Sequence, residues 1–180
     1  MKATGIVRRI DSLGRIVIPR EIRKAMRIKE GDPIEIYTDQ KGQIVLAKYS
    51  PLGELENCCG EYVESMTHVT GKLVIITDTE KVLAAAGSGK RTFKDKYLGN
   101  EARKIVAGRK EYLTGDDGKK AVPIFSDQKE EYQNQIIRPI LAEGDVIGSI
   151  ILMGRVGEDL TETDRKLIEC AADFFGRQME

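Results

Sequence analysis

The strongest constraint on the fold is a short basic stretch near the start of the chain, which breaks into two β-rich runs and a helix. Ile6–Ile10 and Arg15–Ile18 combine branched apolar residues with arginines, as expected for β-strands with two different faces. Leu13-Gly14 is a turn signal between them, and Pro19 ends the second run and permits a helix to begin. A strand–turn–strand–helix unit with this many cations is typical of a nucleic-acid-binding surface.

Charge is distributed unevenly along the 180 residues. Residues 1–50 carry 11 Lys and Arg against 6 Asp and Glu, whereas residues 51–180 carry 18 against 23. The first part attracts polyanions and the second repels them, which predicts two domains with different partners. No apolar run reaches the roughly 20 residues that span a bilayer, and no signal-peptide pattern opens the chain. A cytoplasmic protein without membrane contact is therefore expected.

The basic stretch continues as a small domain with the pattern ββαββ. Helical spacing follows Pro19 up to residue 27, and Ile34–Thr38 and Gln43–Lys48 alternate as the strands of a hairpin. So small a unit buries too little apolar surface alone, and it holds no cysteine that could cross-link it. We therefore expect a dimer of interleaved strands.

The segment Gly5–Pro19, continued by Glu21–Lys24 and Gly31–Ile36, resembles the N-terminal domain of the AbrB transition-state regulators. The resemblance implies a swapped-hairpin β-barrel dimer over residues 1–50 that binds double-stranded DNA. Lys24 replaces the family's commoner arginine, which keeps the charge but loses the planar fork. Four residues match the basic positions that the family presents to DNA, and three more join them by charge: Arg8, Arg15, Arg23 and Lys24, then Arg9, Arg20 and Arg27.

Residues 51–55 are expected to form a short linker that leads into a helix. From Leu52 onward, apolar residues recur three and four positions apart as one narrow helical stripe, which Gly71 is expected to end. The stripe comprises Leu52, Leu55, Cys59, Tyr62, Met66 and Val69. A helix with Ala102, Ile105 and Val106 follows a polar loop at 88–97, and Thr161–Asp164 is a capping box that opens a last helix. Strands are predicted at Lys72–Thr77, Val82–Ala86, Ala121–Phe125, Gln135–Leu141 and Asp145–Leu152.

These elements predict an α+β domain with an antiparallel sheet over residues 56–180. Arg138-Pro139-Ile140, the run from Gly144 to Ile150 and the capping box at Thr161–Asp164 resemble a GAF domain. The resemblance implies a sensor or regulatory domain. Together, the two resemblances imply a transcription regulator of sporulation genes, an activator, a repressor or both, on the nucleoid of the developing forespore.

The two helices that bracket this second domain are expected to join two dimers into a tetramer. Their apolar surface exceeds what one packing contact requires, and soluble proteins generally bury such patches against a partner. The residues assigned to this contact are Leu55, Cys59, Tyr62, Met66, Phe174 and Phe175. The alternative is that both helices are used up by the domain's own core, which leaves a dimer.

No motif predicts catalysis. Gly87-Ser88-Gly89-Lys90 lacks the first glycine and the Ser or Thr of a phosphate loop, and the single histidine, His68, has no metal-binding or catalytic cluster around it. We expect no enzyme activity, no metal and no cofactor. Whether the second domain binds a small ligand is left open. The sequence lacks the signature by which some GAF domains bind cyclic nucleotides, and nothing in it indicates another ligand.

Two other classes of protein share parts of this pattern. Antitoxins with the AbrB fold carry a short disordered tail that wraps a toxin, whereas residues 51–180 have the periodicity of a folded domain. GAF-type enzymes such as the free methionine sulfoxide reductase need nucleophilic cysteines at a pocket, whereas Cys58, Cys59 and Cys170 fall on the terminal helices. The regulator hypothesis fits the sequence better than either.

Overall fold

The protein divides into two compact units, residues 1–49 and residues 50–180. The structure, a computed structural model, describes residues 5–129 and 132–179. Across these ranges no helix has both the length and the apolar character needed to cross a membrane.

The first unit contains one short helix and one hairpin. The helix α1 spans Arg20–Ala25, and strand β1, Ile34–Thr38, pairs antiparallel with β2, Ile44–Lys48. This confirms the predicted helix and hairpin, but the helix is shorter than predicted. It ends at Ala25, and Arg27 beyond it adopts a positive φ of 56°, so Arg27 does not extend the helical face.

The two strands predicted at the start of the chain are absent from this single copy. In the described part of the chain Ile6–Ile10 and Arg15–Ile18 have no regular secondary structure, and the turn between them is hydrogen-bonded. The Asp11 N–H donates to the Arg15 carbonyl at 3.0 Å, and the Gly14 N–H donates to the Asp11 carbonyl at 3.0 Å. A β-strand forms only with a neighbouring strand, and no strand is formed at these residues in the described part of one copy.

The second unit is built on a five-stranded antiparallel sheet. Its strands are β3 Leu73–Asp78, β4 Val82–Ala86, β5 Tyr112–Leu113, β6 Asn134–Ala142 and β7 Asp145–Gly154. Their order in the sheet is β4-β3-β7-β6-β5, with helices on both faces. The type I′ turn Glu143-Gly144, with φ of 48° and 84°, closes the predicted β6–β7 hairpin. The helices of the unit are α2 Pro51–Glu54, α3 Glu56–Thr70, α4 Lys90–Phe93, α5 Asn100–Ala107 and α6 Glu162–Arg177.

Each face of this sheet carries its own apolar core. Helices α3 and α6 cover one face and bury Cys59, Ile168 and Phe175 against strands β3, β6 and β7. Helices α4 and α5 contribute Phe93 and Ala102 to the core on the other face. A sheet buried on both sides explains the long apolar runs of its central strands.

The ends of the bracketing helices have the predicted caps. Gly71 ends α3 in the left-handed conformation, with φ of 70°. Thr161 and Asp164 form the capping box of α6, and the Lys72 ammonium contacts the Asp164 carboxylate at 3.1 Å. Burial would raise the pKa of Asp164, but the hydrogen bonds from Thr161 and Lys72 outweigh it and lower that pKa. The start of β3 is thereby tied to the start of α6.

The segment 51–55 leads into α3 and contains the short helix α2, whose Leu52 is fully buried. Two local predictions for the second unit are wrong. The loop predicted at 88–97 contains helix α4. Residues 121–125 form no strand, because the Gln135 side-chain amide bonds both backbone groups of Val122, at 2.9 and 3.1 Å. The short strand β5 pairs with β6 instead.

Two glycines of this unit should respond oppositely to alanine. Gly60 lies within α3 and an added methyl group meets nothing within 4 Å, so Gly60→Ala should stabilise the protein by about 1 kcal/mol. The same methyl at Gly148 would overlap the carbonyl oxygen of Thr77 on the neighbouring strand, so Gly148→Ala should destabilise the unit strongly. Thermal melting of the full chain measures both, and a lower melting temperature for Gly60→Ala would contradict the packing described for α3.

Candidate nucleic-acid interface

The first unit has no core of its own. Among its described residues only Pro19 is buried, and helix α1 buries none of its side chains. The two apolar cores found among the described residues both lie in the second unit. Val7 is 83% exposed and Val17 is 72% exposed, although valine is among the residue types most often buried in folded proteins. The other large apolar side chains left exposed here are Ile10, Leu13, Ile16, Met26, Ile36, Tyr37 and Ile44.

Part of this apolar surface forms an open groove. The extended segments contribute Ile6 and Ile16, helix α1 contributes Ile22, and strand β2 contributes Leu46. Because all four come from different parts of the unit, the groove is a property of its fold and not of one helix face. An uncovered apolar groove of this kind marks an interaction surface.

The seven basic residues predicted to contact DNA are all exposed and all lie in the first unit. Arg20, Arg23 and Lys24 share one face of α1 by their spacing of three and four residues. Arg8 and Arg9 precede the Asp11–Arg15 turn, Arg15 closes it, and Arg27 follows the helix. The structure therefore brings three of the seven together on a helix and places the other four on irregular segments.

The turn that presents Arg15 is organised by one carboxylate. The backbone N–H groups of Leu13 and Arg15 donate to Oδ1 of Asp11 at 3.0 and 2.8 Å, and Arg15 Nε donates to Oδ2 at 2.8 Å. The hydrogen bonds from the Arg15 backbone and side chain lower the pKa of Asp11. Asp11 is therefore an anion at neutral pH. The sequence indicates only that Asp11 lies in a turn, and an aspartate in a turn does not by itself predict a function.

The six residues predicted to mediate tetramer formation fall into two groups. Cys59, Met66 and Phe175 are buried in the second unit's own core, so they offer little surface to a partner. Leu55 and Tyr62 are partly buried, and Phe174 is 38% exposed. The Tyr62 ring stacks on Phe174 with ring centroids 5.7 Å apart, which places an aromatic pair at the surface between α3 and α6.

The described residues contain no arrangement that indicates catalysis. No group of three or more His, Cys, Asp or Glu side chains within them could hold a metal ion. Burial raises the pKa of the Cys59 thiol from 9.0 to about 12, so this cysteine is not a thiolate at neutral pH. Cys58 is half-buried on the same helix, and Cys170 is exposed on α6.

Comparison with known proteins supports both parts of this architecture. Residues 54–180 match the family described as stage V sporulation protein T C-terminal, transcription factor. Residues 7–53 match the family described as antidote-toxin recognition MazE, bacterial antitoxin. The chain is 39% identical to stage V sporulation protein T of Bacillus subtilis over 180 residues, which cover all of this chain and 99% of that protein.

Two further similarities each concern one unit. The transition state regulatory protein AbrB of Bacillus subtilis is 55% identical over 51 residues, which cover 28% of this chain and 52% of that protein. The GAF domain of an Acinetobacter phosphoenolpyruvate-protein phosphotransferase superposes with a TM-score of 0.57 at 9% identity, covering 69% of this chain and 81% of that one. At this identity the second similarity shows the fold alone.

The fold and the basic surface define a two-domain regulator, with an AbrB-like N-terminal domain and a GAF-like C-terminal domain. The chain belongs to the stage V sporulation protein T family of transcription factors.

Proposed function

We propose that this protein is a transcription factor that binds double-stranded DNA and controls sporulation genes. In this proposal residues 1–50 form the DNA-binding domain as a dimer, and residues 56–180 form a regulatory and oligomerisation domain without catalytic activity. The observation that carries the proposal is a unit that exposes the seven cations assigned to DNA and has almost no buried residue in the described part of one copy. Such a transcription factor acts in the cytoplasm on the nucleoid, and by family membership in the developing forespore.

Dimer formation follows from what one copy leaves uncovered. Burying apolar side chains is worth about 25 cal/mol per Å² of apolar surface, and the first unit fully buries none of the branched apolar side chains described in it. Its two strand-forming segments also form no strand in the described part of one copy. A second copy that adds its own extended segments to these would complete a swapped-hairpin barrel and cover the groove lined by Ile16 and Ile22.

The isolated segment 1–50 should therefore fold only as a dimer. Its thermal or urea midpoint should rise with protein concentration, because association shifts the unfolding equilibrium by mass action. Circular dichroism at protein concentrations differing by about a hundredfold measures this. A midpoint that does not move with concentration would argue for a folded monomer and against swapped strands.

DNA binding follows from the charge that a dimer would gather on one small domain. A dimer would carry two copies of these seven exposed cations on one small domain. Guanidinium groups bind phosphate oxygens in bidentate geometry. If about six of them contact phosphates, the slope of log affinity against log salt concentration should be near −5. Sequence choice would then depend in part on DNA shape, because few of these side chains come from a regular element that enters a groove.

Replacing Arg15 should weaken binding to every duplex, whatever its sequence. In Arg15→Ala the salt slope should become shallower by about 1 for each phosphate that the variant no longer neutralises, hence by about 2 in a symmetric dimer. Fluorescence anisotropy between 50 and 200 mM salt measures the slope. Arg109→Ala is the matched control, because Arg109 is an exposed arginine of the second unit. Unchanged affinity in a correctly folded Arg15→Ala dimer would contradict the proposed interface.

A toxin-antitoxin role is the second candidate, and the match of residues 7–53 to the MazE family is the observation behind it. That match covers the first unit only. The second unit is a folded domain with two apolar cores, in contrast to the short disordered tail of such antitoxins. We therefore favour the transcription factor. A stable complex with a co-expressed toxin that releases the protein from DNA would favour the antitoxin.

We further propose a tetramer that uses the surface between α3 and α6. Three of the six residues first assigned to this contact are buried in the core, so the proposed contact is limited to the aromatic pair Tyr62 and Phe174 with the neighbouring Leu55. Aromatic side chains are enriched at protein interfaces, and two helices from each of two dimers suit a four-helix bundle. Two joined dimers would engage two DNA sites with an avidity gain.

Light scattering tests this assembly in the full chain. The wild type, at 20.1 kDa per chain, should scatter as a particle of about 80 kDa. Phe174→Glu should reduce it to a folded dimer of about 40 kDa, because it places a charge in the aromatic contact. Tyr97→Glu is the control, because Tyr97 is an exposed aromatic residue outside α3 and α6. A wild type that is a monodisperse dimer would end the tetramer proposal.

A further inference from the structure

The first unit contains the same tight turn twice, at Asp11–Arg15 and at Asp39–Gln43. In the first turn the Asp11 N–H donates to the Arg15 carbonyl and the Gly14 N–H to the Asp11 carbonyl, both at 3.0 Å. In the second, the Asp39 N–H donates to the Gln43 carbonyl at 3.0 Å and the Gly42 N–H to the Asp39 carbonyl at 3.1 Å. Both turns follow the pattern Asp-x-x-Gly-x, and both glycines have a positive φ, 76° and 74°.

The aspartate side chains also do the same work in both turns. Oδ1 of Asp11 accepts the N–H groups of Leu13 and Arg15, and Oδ1 of Asp39 accepts those of Lys41 and Gln43 at 2.9 and 2.8 Å. Short aspartate side chains favour such turns because they bond the backbone two or more residues ahead. One carboxylate oxygen is therefore sufficient for the turn.

The difference between the turns is the residue that closes them. Gln43 closes the second, whereas Arg15 closes the first and donates its Nε to Oδ2 of Asp11 at 2.8 Å. Because the second turn forms without an arginine, the Asp11–Arg15 ion pair is not needed to make the first. An exposed pair of this kind also adds little stability, typically below about 1 kcal/mol. We therefore expect the ion pair to have a function other than stabilising the turn.

The atoms used in the pair suggest that role. Asp11 engages Nε, so within the described part of the chain the two terminal nitrogens of Arg15, with four N–H groups, are left for a ligand. These nitrogens form the fork that fits two phosphate oxygens or the O6 and N7 acceptors of guanine. A free arginine side chain loses several rotamers when it binds, and an arginine already held at Nε loses fewer.

We infer that Asp11 is a positioning residue of the DNA interface, which holds the Arg15 guanidinium in one orientation and thereby raises selectivity between DNA sequences. The inference rests on the proposed function, in which Arg15 contacts DNA. Asp11 also brings a negative charge close to the phosphates, which lowers affinity for all duplexes alike. A carboxylate at this place thus disfavours indiscriminate binding while it favours the geometry of the selected site.

Asp11→Asn separates the ion pair from the turn. The amide oxygen of asparagine can still accept the two backbone N–H groups, but its NH₂ group cannot accept a bond from Arg15 Nε. Asp39→Asn is the matched control, because it makes the same change in the same turn where no arginine follows. Circular dichroism and the melting temperature of each full-length variant establish that the fold is retained.

The test measures the affinity ratio between two labelled 30-base-pair duplexes, one selected by the wild type from a random pool and one of scrambled sequence. In Asp11→Asn the ratio should fall by about fivefold, since both symmetric arginines lose their fixed orientation. Affinity for the scrambled duplex should not fall. Asp39→Asn should leave the ratio unchanged. An unchanged ratio in Asp11→Asn, or an equal loss in both variants, would overturn the inference.

A double-variant experiment shows whether Asp11 acts through Arg15. In the Arg15→Ala background, measured at low salt where binding remains detectable, Asp11→Asn should no longer change the ratio. A further fall there would mean that Asp11 has only a structural role, and would overturn the inference. If Arg15→Ala itself leaves binding to both duplexes unchanged, the proposed DNA interface fails first. If Arg15→Ala weakens binding but Asp11→Asn leaves the ratio intact, only the positioning role fails.

Discussion

The constraint on which the rest of the protein depends is the unburied apolar surface of its first unit. One copy folds a six-residue helix and a hairpin, yet among the described residues of this unit only Pro19 is buried. Strand-forming residues such as Ile16 and Val17 are left in water with no neighbouring strand. A second copy can supply both the missing strands and the missing core. The cations that we assign to DNA binding lie on this same incomplete unit, so a DNA-binding surface and a dimer would form together.

The second unit, in contrast, completes its apolar cores within one chain. Its sheet is covered on both faces, and Phe93 and Phe175 are fully buried within a single chain. The two bracketing helices still expose Val69 and Phe174, and Phe174 stacks on Tyr62. The protein thus combines a domain that depends on a partner for its core with a domain that does not.

The sequence predicted secondary structure correctly where a single residue type determines where a helix begins or ends. Gly71 and the Thr161–Asp164 capping box end and begin helices by local geometry, and both were predicted correctly. Predictions failed where a distant side chain decides. The Gln135 side-chain amide hydrogen-bonds the backbone N–H and carbonyl of Val122, which are then not available to a neighbouring strand. The alternation of residues 121–125 contains no sign of this contact. The role inferred for Asp11 could not be predicted from the sequence for a different reason. The turn at Asp39 forms without an ion pair, and only this comparison shows that the turn at Asp11 does not need its bond to Arg15.

The most direct test of the central claim is an isotope-filtered NMR experiment on a mixture of labelled and unlabelled chains. It detects only proton contacts that connect two different copies. We expect intermolecular contacts from the Ile16 and Val17 side chains of one copy to the groove that Ile22 and Leu46 line in the other. If these side chains contact only residues of their own copy, the first unit completes its core alone, and the interdependence of dimer and DNA surface is wrong.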